Sequence, residues 1–322
     1  MTVLEDIPLT DIILSGEGWD RYVFNAAPRV EALAESIERV GVNMPLAVVR
    51  SEDGCTLVSG YARVVAAWKT GRKSVPCFVI KAGAMTDEQL LELSIEDNRF
   101  TRPYHYLDAA RILLAFKARC GYDTPRLAAE IAPLIGIPQG ERVVEQYLTL
   151  NEMAEPLRRF LVEKRLSLAH ALLLADLPHE DAMQMAGLFL LMSANANEAK
   201  EIAEMLKDLA RIKDCRVSEI LDSPELAGAG KDAARKALRR MRYPALAAAE
   251  DEFAQLVAEL RMDTNVSISH SPNFESDSLR VTIAVRSAGE LKAVLAKLKA
   301  GLDAGVVGKI FAIPGRIPEE GP

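Results

Sequence analysis

The chain has 322 residues, 49% of them hydrophobic and 26% charged, with a formal net charge of −7. This composition belongs to a globular protein with room for two or three domains, and the net acidity argues against coating nucleic acid over the whole surface while leaving a local basic patch open. No apolar run reaches the roughly 18 residues that span a bilayer, and the acid-bearing start "MTVLEDIPLTDIIL" lacks the basic region of a secretory signal, so the expected location is the cytoplasm.

Residues 1–102 mix helix and strand. "VEALAESIERVG" places Val30, Leu33, Ala34 and Ile37 on one helical face, with Gly41 as terminator. "PLAVVR" and "CTLVSG" read as strands joined by the turn residues of "SEDG". "SGYARVVAAWKTGRKSVPCFVI" then puts Gly60 where a strand ends and a helix starts, with Arg63 in the first turn and another strand after the helix. Helix N-termini favour phosphate, and an arginine there adds a charge-assisted contact. A plain strand–helix connection is the competing reading, and no Walker loop occurs anywhere in the chain. Thr86-x-x-Gln89 is a capping box for a helix over "TDEQLLELSIEDN". The end of that helix carries Glu96, Asp97, Asn98, Arg99 and Arg102, a set suited to Mg²⁺ and phosphate or to a polar helix end.

Residues 103–230 are helical throughout. After "YLDAARILLAFKAR", Thr124 and Pro125 read as N-cap and N1 of a helix burying Leu127, Ala128, Ile131 and Leu134. Gly136 ends it and Pro138 opens the next, with Val143, Val144, Tyr147 and Leu148 inward and Gln139, Arg142, Glu145 and Gln146 outward. Two short helices around a Gly-containing turn are the pattern of a helix-turn-helix, and Gln and Arg can read base edges. An all-helical packing module is the alternative, because Glu141 and Glu145 repel phosphate. Four further helices follow, over "AEPLRRFLVEKR", "SLAHALLLADL", "DAMQMAGLFLLM" and "NEAKEIAEMLKDLARI".

Residues 231–262 form a basic helical linker. "KDAARKALRRMR" sets Lys231, Arg235, Lys236, Arg239, Arg240 and Arg242 against Asp232, with 231, 235, 239 and 242 in one stripe. That stripe reads either as a phosphate-facing surface or as a solvated face. In residues 263–322, "NVSIS" and "SLRVTIAVR" alternate and are expected to pair as a hairpin. Ser287-x-x-Glu290 is a capping box opening a helix with Leu291, Val294, Leu295 and Leu298 on one face. A β-β-α unit this small must pack on something, such as its copy in another subunit. The four cysteines and four histidines are scattered and form no metal or nucleophile signature.

In this order the segments resemble the ParB-like proteins of chromosome and plasmid partitioning. "APRVEALAESIERVGVNMPLAVV", "LVSGYARVVAAWKTGRKSVPCFVI", "LLELSIEDNRFTRPYHYLDAARIL", "LAAEIAPLIGIPQGERVVEQYLTL" and "LRRFLVEKRLSLAHALLLADLP" are similar, in turn, to the family's successive motifs over roughly residues 5 to 180. The resemblance implies an α+β protein with an N-terminal ParB/sulfiredoxin-like domain, a central helix-turn-helix domain and a C-terminal dimerisation domain. It further implies a homodimer that binds DNA, works with a partition ATPase, and takes CTP and Mg²⁺. Nucleotide contacts then fall to Arg29, Gly60, Tyr61, Arg63, Glu96, Asp97, Asn98 and Arg99, with Glu96 on the metal. DNA contacts fall to Gln139, Arg142, Gln146, Lys164, Arg165, His170, Arg235, Arg239 and Arg242. Tyr61, Ala62 and Val65 depart from the family's first box and Asp97 from its second, which suits binding better than hydrolysis. Two other readings stay open: a small-molecule kinase using Glu31 or Glu35 as base, and a protein-interaction scaffold. No catalytic residue is assigned.

Overall fold

A computed structural model describes residues 3–25, 30–99, 103–226 and 228–316. The chain divides into two compact units, residues 1–187 and 188–322. No described helix is long and apolar enough to cross a membrane.

The first unit opens with β1 (Val3–Pro8), β2 (Ile12–Ile13), α1 (Glu31–Val40), β3 (Leu46–Ser51), β4 (Gly54–Ser59), α2 (Tyr61–Lys69), β5 (Ser74–Lys81) and α3 (Asp87–Arg99). The strands form one mixed sheet in the order β1-β5-β3-β4-β2. β3 and β4 are an antiparallel hairpin, with Val48 opposite Leu57, while β3 and β5 run parallel, with Leu46 opposite Cys77. The parallel pair needs a crossover, and α2 supplies it. Leu46, Val48, Leu57, Val64, Ala67, Val75 and Cys77 are fully buried between α2 and the sheet. Each leucine there contributes about 2 kcal/mol of transfer free energy. α1 packs behind α2 through Ile37 and Ala66, and α3 packs on β4 with Leu91 and Ile95 fully buried. The Thr86 capping box forms as predicted: Gln89 N–H donates to Thr86 Oγ1 at 3.2 Å and Thr86 N–H to Gln89 Oε1 at 2.9 Å.

The helical part of this unit begins with α4 (Tyr106–Cys120). α5 (Thr124–Arg126), a π segment (Leu127–Ile131) and α6 (Ala132–Leu134) follow as one continuous helix. α7 (Glu141–Thr149), α8 (Glu155–Glu163) and α9 (Leu168–Leu174) follow, and α10 (His179–Leu191) runs through the boundary at residue 187. Two boundaries differ from the sequence reading. Asp123, not Thr124, is the N-cap, because its carboxylate accepts from Arg126 N–H at 2.9 Å. α7 begins at Glu141 rather than Pro138, because Gly140 is extended and starts the helix only after it.

The second unit contains α11 (Ala196–Lys213), α12 (Val217–Leu221), α13 (Lys231–Arg242), α14 (Pro244–Glu259), β6 (Val266–His270), β7 (Leu279–Ile283), α15 (Ala288–Asp303) and α16 (Val306–Phe311). α12 is a short helix within residues 103–230, the stretch read from sequence as helical throughout, and it was not among the helices named there. β6 and β7 pair antiparallel, with Ile268 opposite Val281. Phe253, Leu256, Leu260, Val306 and Ile310 form the core beneath them, against half-buried Ile268 and Leu279. The apolar face of α15 is covered only in part: Val294 is buried, but Leu291 is 39%, Leu295 52% and Leu302 60% exposed.

Candidate nucleotide turn and nucleic-acid interface

Gly60 sits between β4 and α2 at φ 102°, ψ 23°, in the left-handed region that costs a side chain most. A Cβ there would also stand 2.8 Å from Leu46 Cγ, so packing and backbone both require glycine. No side chain caps the start of α2. Arg63, one turn in, is the hub of the site. Its Nη1 donates to the carbonyls of Pro45 at 2.7 Å and Met44 at 3.1 Å. Its Nη2 donates to Asp97 Oδ2 at 2.6 Å and lies 3.5 Å from Ser59 Oγ. The Ser59 hydroxyl also donates to the Asp97 carboxylate. The fold thus brings Gly60, Arg63 and Asp97 together, and adds Ser59, Met44 and Pro45, which sequence reasoning missed. Ser59 was adjacent to the motif, but nothing in the sequence pointed to the two carbonyls.

The remaining nucleotide candidates make contacts of their own. Tyr61 packs its ring against Trp19, centroids 5.6 Å apart, at the edge of the sheet core. Glu96 pairs with Arg99 at 2.8 Å along α3. Asn98 donates to the Ser94 carbonyl at 2.7 Å. Arg29 and Arg102 lie outside the described residues. Among the described residues no three His, Cys, Asp or Glu side chains gather as a metal site. As arranged, Arg63 has committed both terminal nitrogens of its fork to the protein; the residues do not fit a nucleotide in this conformation. Glu31 of the kinase reading is held by Lys69 at 3.2 Å. A backbone N–H and that lysine keep its carboxyl below the ordinary value, opposite to a general base poised near neutrality.

The helix pair presents a different surface. Val144 and Tyr147 of α7 are buried, which turns Arg142, Glu145 and Gln146 to solvent, and Gln139 is exposed in the loop before the helix. Lys164 and Arg165 are exposed at the end of α8, where Arg165 takes a left-handed φ of 54°. His170 does not join them: it is 7% exposed, and its Nδ1 lies 2.7 Å from Ser167 Oγ.

The basic stripe of α13 is bound to carboxylates. Arg235 pairs with Glu198 of α11, and Arg242 with Asp208 of α11 at 3.3 Å. Arg239 pairs with Glu250 of α14 at 3.0 Å and donates to Asn273 at 2.8 Å. Arg240 grips Asp251 with two bonds of 3.0 and 2.7 Å, which draws that carboxyl below its ordinary value. Lys231 and Lys236 remain exposed. The density of charge that suggested a phosphate surface serves to join α13 to its two neighbours.

No family model matches the chain. It is 24% identical over 273 residues to the "Probable chromosome-partitioning protein ParB" of Vibrio cholerae, covering 84% of this chain and 78% of that protein. Among solved structures, the truncated ParB of Caulobacter crescentus complexed to the centromeric parS site overlaps 62% of this chain and 98% of its own, at 20% identity and a TM-score of 0.36. The same protein complexed with CTP-gamma-S overlaps 58% and 99%, at 22% identity and a TM-score of 0.26. Along most of its length, then, this chain is similar to a chromosome-partitioning ParB protein.

Proposed function

We propose that the protein is a DNA-binding, partition-type dimer that reads duplex DNA with α7. The observation that carries this reading is the division of α7: Val144 and Tyr147 anchor it while Arg142 and Gln146 face solvent, with exposed Gln139 just before it. An amide and a guanidinium on one exposed helix face are the groups that pair bidentately with adenine and guanine edges. Lys164 and Arg165 are exposed cations that suit backbone phosphates. The similarity to the Vibrio protein supports the partitioning role, and a partition ATPase is the further partner it implies. Arg235, Arg239 and Arg242, already ion-paired, are left as secondary contacts.

The dimer contact is assigned to α15. Leu291, Leu295, Leu298 and Leu302 recur at spacings of four, three and four, the seam of a coiled coil, and three of them are exposed. Retardation of duplex DNA from the protein's own locus, titrated in salt, tests the DNA reading. Binding should weaken linearly in log salt with the number of phosphates neutralised. Absence of retardation at low salt, on that DNA and on unrelated duplex, would remove it.

A further inference from the structure

We propose that Asp97 holds Arg63 in place of a phosphate, so that the Gly60 turn is closed from within and wild-type protein does not take up nucleotide there. The argument rests on the donor count at Arg63. A guanidinium has five N–H groups. Four of Arg63's are directed at Met44 O, Pro45 O, Ser59 Oγ and Asp97 Oδ2. The two carbonyls take the Nη1 side of the fork, and the Asp97 carboxylate takes an Nη2–H that a phosphate oxygen would otherwise accept from. Ser59, 4% exposed, adds its hydroxyl to the same carboxylate. Asp97 thereby ties the C-terminal end of α3 to the start of α2 and to the end of β4, and Arg63 ties α2 to the entry of β3. Those segments are held by residues of the chain itself.

An incoming phosphate would have to displace Asp97 from Arg63 and then sit beside a freed carboxylate, and like charges at that distance repel. The amide of asparagine has nearly the same shape and no charge. Asp97→Asn should therefore open the turn to an anion, while Arg63→Ala should remove the anion's counter-charge.

The test is calorimetric titration of the full chain with CTP, with and without Mg²⁺, beside thermal unfolding in CTP and in inorganic phosphate. Wild type, Asp97→Asn, Arg63→Ala and the double variant are compared. The expected result is no heat and no ligand-dependent Tm shift for wild type. Asp97→Asn should bind at least tenfold more tightly than wild type, and the double variant should lose that gain. Asp97→Ser takes the place of Asp97→Asn if the latter does not fold. Wild-type binding of CTP that Arg63→Ala abolishes would overturn the proposal, as would an Asp97 variant that binds no better than wild type. DNA retardation does not depend on this turn, so the DNA reading stands or falls separately.

Discussion

Arg119 grips Asp87 with two parallel hydrogen bonds, Nε to Oδ2 and Nη2 to Oδ1, each 2.6 Å. Arg21 and Tyr22 donate to the same carboxylate, and Arg119 also reaches the Arg21 carbonyl at 2.6 Å. This knot fastens the loop around Tyr22 to the start of α3 and to the last turn of α4. Burial pushes the Asp87 carboxyl up, but the bonds from Arg119, Tyr22 and Arg21 outweigh it and hold it well below the usual carboxylate range. A depressed folded-state pKa contributes stability that is present above the unfolded value, about 3.9, and is lost as pH falls toward the folded one. Asp87→Asn should therefore destabilise the first unit by about 2 kcal/mol at neutral pH. The deficit should shrink in acid, as urea unfolding monitored between pH 7 and pH 2 would show.

Tyr22 makes the opposite statement at the alkaline end. Burial, with the hydrogen bond to Asp87, raises its phenol to about 12. The raised pKa contributes stability that is fully present below about 10 and is lost as pH rises through 12. Tyr22→Phe should flatten the alkaline limb of the stability profile above pH 10. An unchanged limb would show that the phenol does not set it.

Under the proposed DNA-binding reading, Arg142 and Arg235 should behave differently. Arg142 is exposed on α7, whereas Arg235 is already paired with Glu198. Arg142→Ala should weaken binding about tenfold, in line with the loss of one base-edge contact. Arg235→Ala should weaken it less than threefold and lower Tm instead. Fluorescence anisotropy on one duplex, with melting curves of both variants, separates the two effects.

Sequence periodicity was most informative where a residue's role depends on its own helix. The burial of Val144 and Tyr147 followed from a 3.6-residue repeat, and the hairpin of β6 and β7 from alternation. The glycine at 60 was legible because a strand-to-helix turn needs its backbone freedom. What periodicity does not carry is the identity of the facing element. Arg63 meets Asp97 across 34 residues, and Arg242 meets Asp208 across another 34. The α13 arginines therefore looked like a surface waiting for phosphate, although each of the four finds its anion on α11 or α14. The start of α7 was misplaced for a local reason: Pro138 is a good first helical residue, but Gly140 follows it in extended form.

Gly301 lies inside α15, where a Cβ would fall 2.4 Å from Leu260 Cδ2. Leu260 is itself buried in the second unit's core. Gly301→Ala should cost about 1–3 kcal/mol through overpacking. Adding Leu260→Val should recover part of that loss, and a thermal double-mutant cycle reads the coupling.

The stripe on α15 gives the oligomer test. Leu295 is 52% exposed, so a charge there should cost the isolated subunit little. Leu295→Glu should convert the proposed dimer to monomer by analytical ultracentrifugation, with circular dichroism unchanged. A variant that remains dimeric would move the contact away from α15.

The π segment at Leu127–Ile131 has a consequence for how this region can vary. There the Ala132 N–H reaches back five residues to the Leu127 carbonyl. Such a turn holds about one residue more than an α-turn. The extra length is taken up inside the helix, between the cap at Asp123 and the break at Gly136, so it does not lengthen the connection to α7. Deleting one residue within Leu127–Ile131 should therefore convert the π turn to a regular helical turn and leave α7 in place.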